Sequence, residues 1–243
     1  MKILTALAVG FGVAISAPAA AITAFATFTT TSALPSVDFV GSGNGAGVIS
    51  SVAQPVTFRF LDPLGGPTPT DFAATFNFTA NTAGGVVVGG IGVASVPTGT
   101  FSFTSATPVT FAGSTGTNLL NGVFTDGALT AKIGGSVASL FNSTPPSTST
   151  VTFTSDFLDF SQSLERDLSF AINAINPLIA ASSLGGGVAN FSGTISGNFG
   201  ADVIAGNGLP VVPEPGTWLL MIAGFGLVGT AMRRRSTMIS VTS

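Results

Sequence analysis

The chain has 243 residues and a formal net charge of −3 at pH 7, with 45% hydrophobic and only 7% charged residues. It contains no His and no Cys, which excludes Ser-His-Asp and Cys-His nucleophile systems, imidazole or thiolate metal sites, and disulfides. Its seven basic residues are too few for a nucleic-acid partner, because phosphate binding requires clustered Lys and Arg. The sequence also shows no pattern that indicates a cofactor, so we predict none.

Residues 1–21 have the pattern of a secretory signal peptide. A basic start at Lys2 precedes an apolar run over residues 3–15 and then small residues in Ala-x-Ala spacing, which predicts cleavage after Ala19 or Ala21. The alternative is the first core helix of a cytoplasmic protein, and the absence of a polar face in the run disfavours it. The segment therefore predicts export.

Residues 22–205 form the predicted passenger domain, which carries three basic and nine acidic residues. Apolar and polar residues alternate along several runs separated by Gly, Pro and Asn, and this pattern is typical of half-buried antiparallel strands. We predict an all-β domain, an antiparallel β-sandwich or jelly-roll of roughly ten to twelve strands. The clearest runs are Val56–Phe60, Phe72–Thr79, Phe101–Thr104, Val151–Thr154, Leu168–Ile172 and Phe191–Phe199.

Two Pro-rich stretches interrupt these runs, because proline does not fit a central strand. Residues 63–69 are predicted to form a hairpin loop. Residues 143–149 are predicted as a linker that divides two halves of the sheet order.

The acidic residues are the candidates for chemistry in the passenger, since a carboxylate pair is the minimum requirement of a glycosidase. Four of them cluster in sequence: Asp156, Asp159, Glu165 and Asp167. We interpret them as solvated strand positions, with Asp156 and Asp159 on opposite faces of one strand. No Tyr or His, and no Trp within the passenger, is present to stack a sugar or move a proton, so we predict that the protein is not an enzyme. Calcium stays an open alternative for the acidic cluster, although no Asp-x-Asp-x-Asp-Gly loop is present, and we predict no metal site.

Residues 218–235 are predicted to be a transmembrane helix, followed by a disordered tail over residues 236–243. Its apolar part spans roughly 22 Å at about 1.5 Å per residue, which is short against about 30 Å of bilayer hydrocarbon. The helix ends in an arginine cluster, and the positive-inside rule keeps that end in the cytoplasm with the passenger outside. The cluster consists of Arg233, Arg234 and Arg235.

A Gly/Pro-rich linker over residues 206–217 precedes this helix and ends in a distinctive motif. Pro213, Glu214 and Pro215 favour an extended backbone, the conformation in which processing enzymes bind peptides, and Trp218 follows at the predicted membrane interface. Together with the helix and the arginine cluster, this sequence resembles the PEP-CTERM sorting signal in its Pro-Glu-Pro-x-x-Trp-Ala subtype. Leu219 departs from the subtype, which usually has Ala at that position.

The resemblance implies an exosortase as the partner, a membrane enzyme that recognises and cleaves this tail in bacteria that make exopolysaccharide. It implies that residues 213–215 and Trp218 form the processing motif; an ordinary tail anchor is the alternative. We therefore expect an exported protein that the C-terminal helix holds in the inner membrane before delivery to the envelope, the extracellular matrix or a biofilm. A non-enzymatic surface or exopolysaccharide-associated protein is the favoured function. A glycan-binding β-sandwich with adjacent exposed Phe residues, or exposed Asn and Asp, is the alternative.

Overall fold

The computed structural model describes residues 22–61, 70–144, 149–161, 163, 165–183, 186–201 and 204–205. These residues form twelve β-strands, all paired antiparallel, and contain no helix, so the all-β antiparallel prediction is confirmed. The strands are β1 (Ala24–Thr30), β2 (Val37–Gly43), β3 (Ala46–Phe60), β4 (Thr70–Val88), β5 (Ile91–Phe111), β6 (Ser114–Lys132), β7 (Ala138–Thr144), β8 (Val151–Thr154), β9 (Leu158–Asp159), β10 (Arg166–Asn176), β11 (Phe191–Ala201) and β12 (Ile204–Ala205).

Within these ranges, no helix has the length and apolarity that a membrane crossing requires. The predicted signal peptide at residues 1–21 and the predicted helix at residues 218–235 lie outside the described residues.

The main sheet closes on itself, and the predicted sandwich or jelly-roll is wrong. Its strands follow the order β1-β11-β10-β7-β6-β5-β4-β3, and β3 pairs back with β1 to complete an eight-stranded barrel. The alternation of buried and exposed residues is the same in a barrel wall as in one layer of a sandwich, so the sequence pattern does not separate the two. An eight-stranded barrel has an interior just wide enough for side chains to fill, which makes its inside the core.

At two positions in the barrel wall, two strands that are consecutive in the chain lie end to end along one neighbouring strand. β1 pairs with residues 56–60 of β3, whereas β2 pairs with residues 46–50 of the same strand. In the same way β7 and β8 pair with different parts of β6. Both strands lie along the same side of β6. In the sheet order β7 and β10 are neighbours, and they come from before and after residues 143–149 in the chain, which is consistent with a linker between two halves of the sheet order. The strands around residues 63–69 pair directly, Phe60 with Thr70, as the predicted hairpin loop requires.

Phenylalanine fills the barrel. Phe103 is fully buried, and its ring centroid lies 4.7 Å from those of Phe28 and Phe76 and 4.9 Å from that of Phe58. Such pairs add about 0.5–1.5 kcal/mol beyond the burial of their apolar area. A chain without cysteine depends on this core for its stability.

Glycines make room for the rings on neighbouring strands. In the β5–β6 register Gly99 lies opposite Phe124, and Phe101 lies opposite Gly122. A Cβ added at Gly99 would lie 2.1 Å from the Phe124 ring, and one at Gly122 would lie 2.2 Å from the Phe101 ring. Across these two strands, each of the two phenylalanine rings therefore faces a glycine, which has no side chain.

Candidate functional site

The predicted sorting and cleavage residues lie outside the part of the chain that the structure describes. They are Ala19, Ala21, Pro213, Glu214, Pro215, Trp218, Arg233, Arg234 and Arg235. The last described strand, β12, pairs with β9 through Ile204 and Asp159, so the backbone is still part of a sheet at the residues just before the predicted linker.

The first two acidic candidates hold turns in place. Asp156 lies before β9, and its Oδ2 accepts hydrogen bonds from the backbone N–H groups of Thr117 at 2.9 Å and Asn118 at 2.8 Å. Asp159 lies in β9 and accepts bonds from the N–H of Ser161 at 2.8 Å and from its hydroxyl at 3.0 Å. These bonds hold the pKa of Asp159 below its usual value, the backbone N–H contributing most. The two carboxylates therefore do not share one strand as predicted.

The other two acidic candidates flank Arg166 at the start of β10. Burial raises the pKa of Asp167, which is half-buried, and a hydrogen bond from the Gly200 N–H opposes that shift in part. The backbone carbonyl of Glu165 accepts a hydrogen bond from the Ser163 hydroxyl at 3.0 Å. In the described ranges no three acidic side chains come together in a group that could hold a metal ion. The four candidates have separate local surroundings.

The phenylalanine pattern expected for a glycan-binding face is missing from the described part of the chain. Phe141 is the only phenylalanine there that is not buried, with 48% of its surface exposed. A platform of adjacent exposed rings is therefore not part of the described surface.

A lattice of small side chains, polar except for Val123, covers the middle of the outer face of β4, β5, β6 and β8. Neighbouring strands align these residues in rows, because paired residues in register point to the same side of a sheet. Adjacent strands lie about 4.8 Å apart, and successive outward residues about 6.8 Å apart along a strand. We call this surface the outer polar lattice; its rows are Asn77, Ser102, Asn121 and Thr154; then Thr79, Thr100, Val123 and Thr152; then Asn81, Thr98, Thr125 and Thr150.

The first two rows line a concave groove of about 320 Å³. Asn121 lies within it, and its Oδ1 is buried without a hydrogen-bond partner. The third row is linked internally, with Asn81 donating to Thr98 at 3.3 Å and the hydroxyls of Thr125 and Thr150 lying 3.0 Å apart. The groove offers hydroxyl and amide groups beside the exposed Val123 and has no charged side chain, which suits a neutral ligand with hydroxyl groups and apolar C–H faces, or ordered water.

The sequence pattern alone does not reveal the outer polar lattice. The single-strand signal is present, since polar residues recur at every second position, as in Asn77, Thr79 and Asn81. The rows depend on the register between strands, and an irregularity between Phe103 and Thr104 shifts that register within the sheet. A pattern within one strand does not reveal such a shift.

Comparison with known families gives one finding. The model of the PEP-CTERM protein-sorting motif matches residues 211–235. No curated protein and no solved structure matches the chain. The motif supports an exported, membrane-transiting protein that an exosortase sorts, and it covers the tail and not the passenger.

Proposed function

We propose that this chain is an exported bacterial surface or extracellular-matrix protein with a non-enzymatic passenger and a C-terminal signal that an exosortase processes. The observation that carries the proposal is the match of residues 211–235 to the PEP-CTERM protein-sorting motif. The apolar run before the arginine cluster would hold the chain in the inner membrane, with the passenger outside, until processing. The extended backbone around Pro213 and Pro215 would then present the chain to the enzyme.

The outer surface of the passenger supports a place in a hydrated polysaccharide matrix. The outer polar lattice carries hydroxyl and amide groups in register and no charged side chain. Such a surface hydrogen-bonds water and neutral sugars, and changes in salt concentration affect it little, since screening acts on charges. The closed sheet also leaves few strand edges that would pair with other chains.

Mass spectrometry of both termini tests the proposal on protein recovered from the cell surface or matrix of the native host. We expect a first residue directly after Ala19 or Ala21 and a last residue close to Pro213. A matched strain carrying Pro213→Ala and Pro215→Ala should retain the tail, because the extended motif is lost. Recovery of wild-type protein with residues 233–235 still attached would reject the exosortase step and leave a membrane-anchored envelope protein.

A glycan-binding passenger is the second candidate function, and the uncharged groove with its hydroxyl and amide side chains, Asn121 among them, favours it. Retention of the protein on immobilised polysaccharide in high salt tests this candidate. Asn121→Ala should weaken retention, whereas Ser169→Ala, at an exposed position on another part of the wall, should leave it unchanged. Elution of the wild-type protein with the void volume would reject it.

A further inference from the structure

At one end of the barrel the β4–β5 hairpin extends past β3, while on its other side β6 stays paired with β5 up to Ile91. The last residue pair between β3 and β4 is Gly47 with Thr82, while β4 continues to Val88. Beyond that pair β4 stays bonded to β5, through Val86 with Val93 and Val88 with Ile91. The turn is Gly89-Gly90, with φ of 58° and 79°, as the tight two-residue hairpin turn requires. We call residues 86–93 the hairpin tip.

The hairpin tip is apolar on both of its faces. Along the barrel wall the outward positions are mostly Ser, Thr and Asn, whereas at the tip they are aliphatic. Val87 points to the opposite face from Val86 and Val88 and is exposed as well. A flat protein partner would cover one face of a hairpin, whereas a fluid apolar phase would surround both. The exposed fractions are 51% for Val86, 39% for Val87, 68% for Val88, 48% for Ile91 and 39% for Val93.

The dimensions of the tip fit the boundary layer of a bilayer. At about 3.3 Å per residue, the two steps from Val86 to Val88 cover about 7 Å, within the roughly 5–10 Å that interfacial segments reach below the headgroups. The tip lies at the end of the barrel where β11 begins, beside Phe39, and β11 ends at Ala201 on the opposite end. The tip therefore lies at the end of the barrel opposite Ala201, where β11 ends.

A single cation lies beside the turn at the outer end of the tip. Lys132 pairs with Ile91 in the β5–β6 register and lines a depression of about 670 Å³ beside Val137, and no Asp or Glu is among the described residues that line it. The passenger's other two basic residues are engaged elsewhere. Arg59 pairs with Asp71, and Arg166 donates to backbone carbonyls at 2.8 and 3.1 Å. In an acidic domain, this places a positive charge and an open depression next to the apolar tip.

We propose that the hairpin tip docks into the surface of an anionic phospholipid membrane, with Val88 and Ile91 below the headgroups and the long Lys132 side chain reaching back to the lipid phosphates. This inference goes beyond the proposed function and does not depend on processing of the tail. It rests on the two-sided apolar exposure, the length of the tip and the lysine beside Ile91.

Fluorescence from a label at the tip tests the proposal in the full chain. Because the chain has no cysteine, Val88→Cys gives a single site for an environment-sensitive fluorophore, and Ser169→Cys gives a matched exposed site on the barrel wall. Both proteins are reconstituted into vesicles of phosphatidylcholine, with or without phosphatidylglycerol. We expect a blue shift and quenching by a lipid-borne quencher at residue 88 alone, stronger in the anionic vesicles. Lys132→Gln should lower the inserted-to-free ratio in those vesicles roughly fivefold, the effect of one basic residue near an anionic surface.

Three results would overturn the proposal. An unshifted label at residue 88 would show that the tip stays in water. Equal shifts at residues 88 and 169 would show non-specific adsorption of the whole barrel. A shift at residue 88 that grows with protein concentration in the absence of vesicles would identify a second copy of the chain as the occupant. Failure of tail processing would affect none of these readouts, so the two proposals fail separately.

Discussion

Replacing Gly99 with alanine tests whether glycines make room for the phenylalanine core. Gly99 lies opposite Phe124, and a new Cβ would lie 2.1 Å from Cζ of that ring. The ring is fully buried in a close-packed interior and has no free space to move into. Overpacking of this kind costs about 1–3 kcal/mol. We expect the free energy of unfolding to fall towards the upper end of that range, because the clash is with a rigid ring.

Denaturant unfolding followed by circular dichroism measures this change, provided that the slope with denaturant concentration stays constant. The side chain of the neighbouring Thr100 points outward, so Thr100→Ala should change the free energy of unfolding by less than about 0.5 kcal/mol. A double-mutant cycle with Phe124→Leu isolates the contact, since the smaller side chain should reduce the cost of Gly99→Ala by about 1 kcal/mol or more. The same cost in both backgrounds, or a cost below about 0.5 kcal/mol, would refute the argument.

Three further predictions follow from described contacts. Phe103→Ala should lower the free energy of unfolding by about 3–5 kcal/mol in the same assay, with the exposed Phe141→Ala as the control that stays close to wild type. Asp156→Ala removes the acceptor for two backbone N–H groups and should cost about 1 kcal/mol; an unchanged denaturation midpoint would show that the turn forms without it. The fold raises the pKa of Asp167, so above that raised pKa the charged carboxylate lowers the stability of the folded protein. This loss of stability disappears as the pH falls through the raised pKa towards the unfolded value. Asp167→Asn can still accept the hydrogen bond from the Gly200 N–H, so it should raise the melting temperature near pH 7. It should have little effect near pH 3, about one unit below the pKa of Asp in the unfolded chain. A larger increase near pH 3 than near pH 7 would contradict this prediction.

The strand content of the passenger could be predicted because each strand carries its own signal. Phe101 and Phe103 are buried and Ser102 between them points outward, as alternation along one strand requires. Closure of the sheet could not be predicted in this way. It depends on β1 and β2 sharing one wall position, and the residues that join β3 to β1 lie about thirty positions apart, as Phe28 and Phe58 do. No local pattern contains that pairing.

The candidate surfaces were harder to predict than the fold for the same reason. Three consecutive valines before a Gly-Gly turn are typical of a buried strand, since a short apolar run usually lies inside a sheet. Residues 86–88 are exposed instead because β4 outlasts β3 at that end of the barrel. The acidic cluster shows the converse, since residues that are close in sequence have separate roles at the turns before and after β9. Exposure and grouping are set by neighbouring strands.

The interior and the outer polar lattice of the barrel are coupled through one backbone register. The alternation of apolar and polar residues opposes a slip of one residue between β5 and β6, because such a slip would turn the apolar core residues of one strand outward. A slip of two residues keeps every side chain on its own face, so alternation does not oppose it. In one direction that slip would place Phe101 directly opposite Phe124, two rings where the native register sets each ring against a glycine. The glycine–phenylalanine pairs thus fix the register inside the barrel, and because Thr100 lies between Gly99 and Phe101, they also fix which hydroxyls align on its surface.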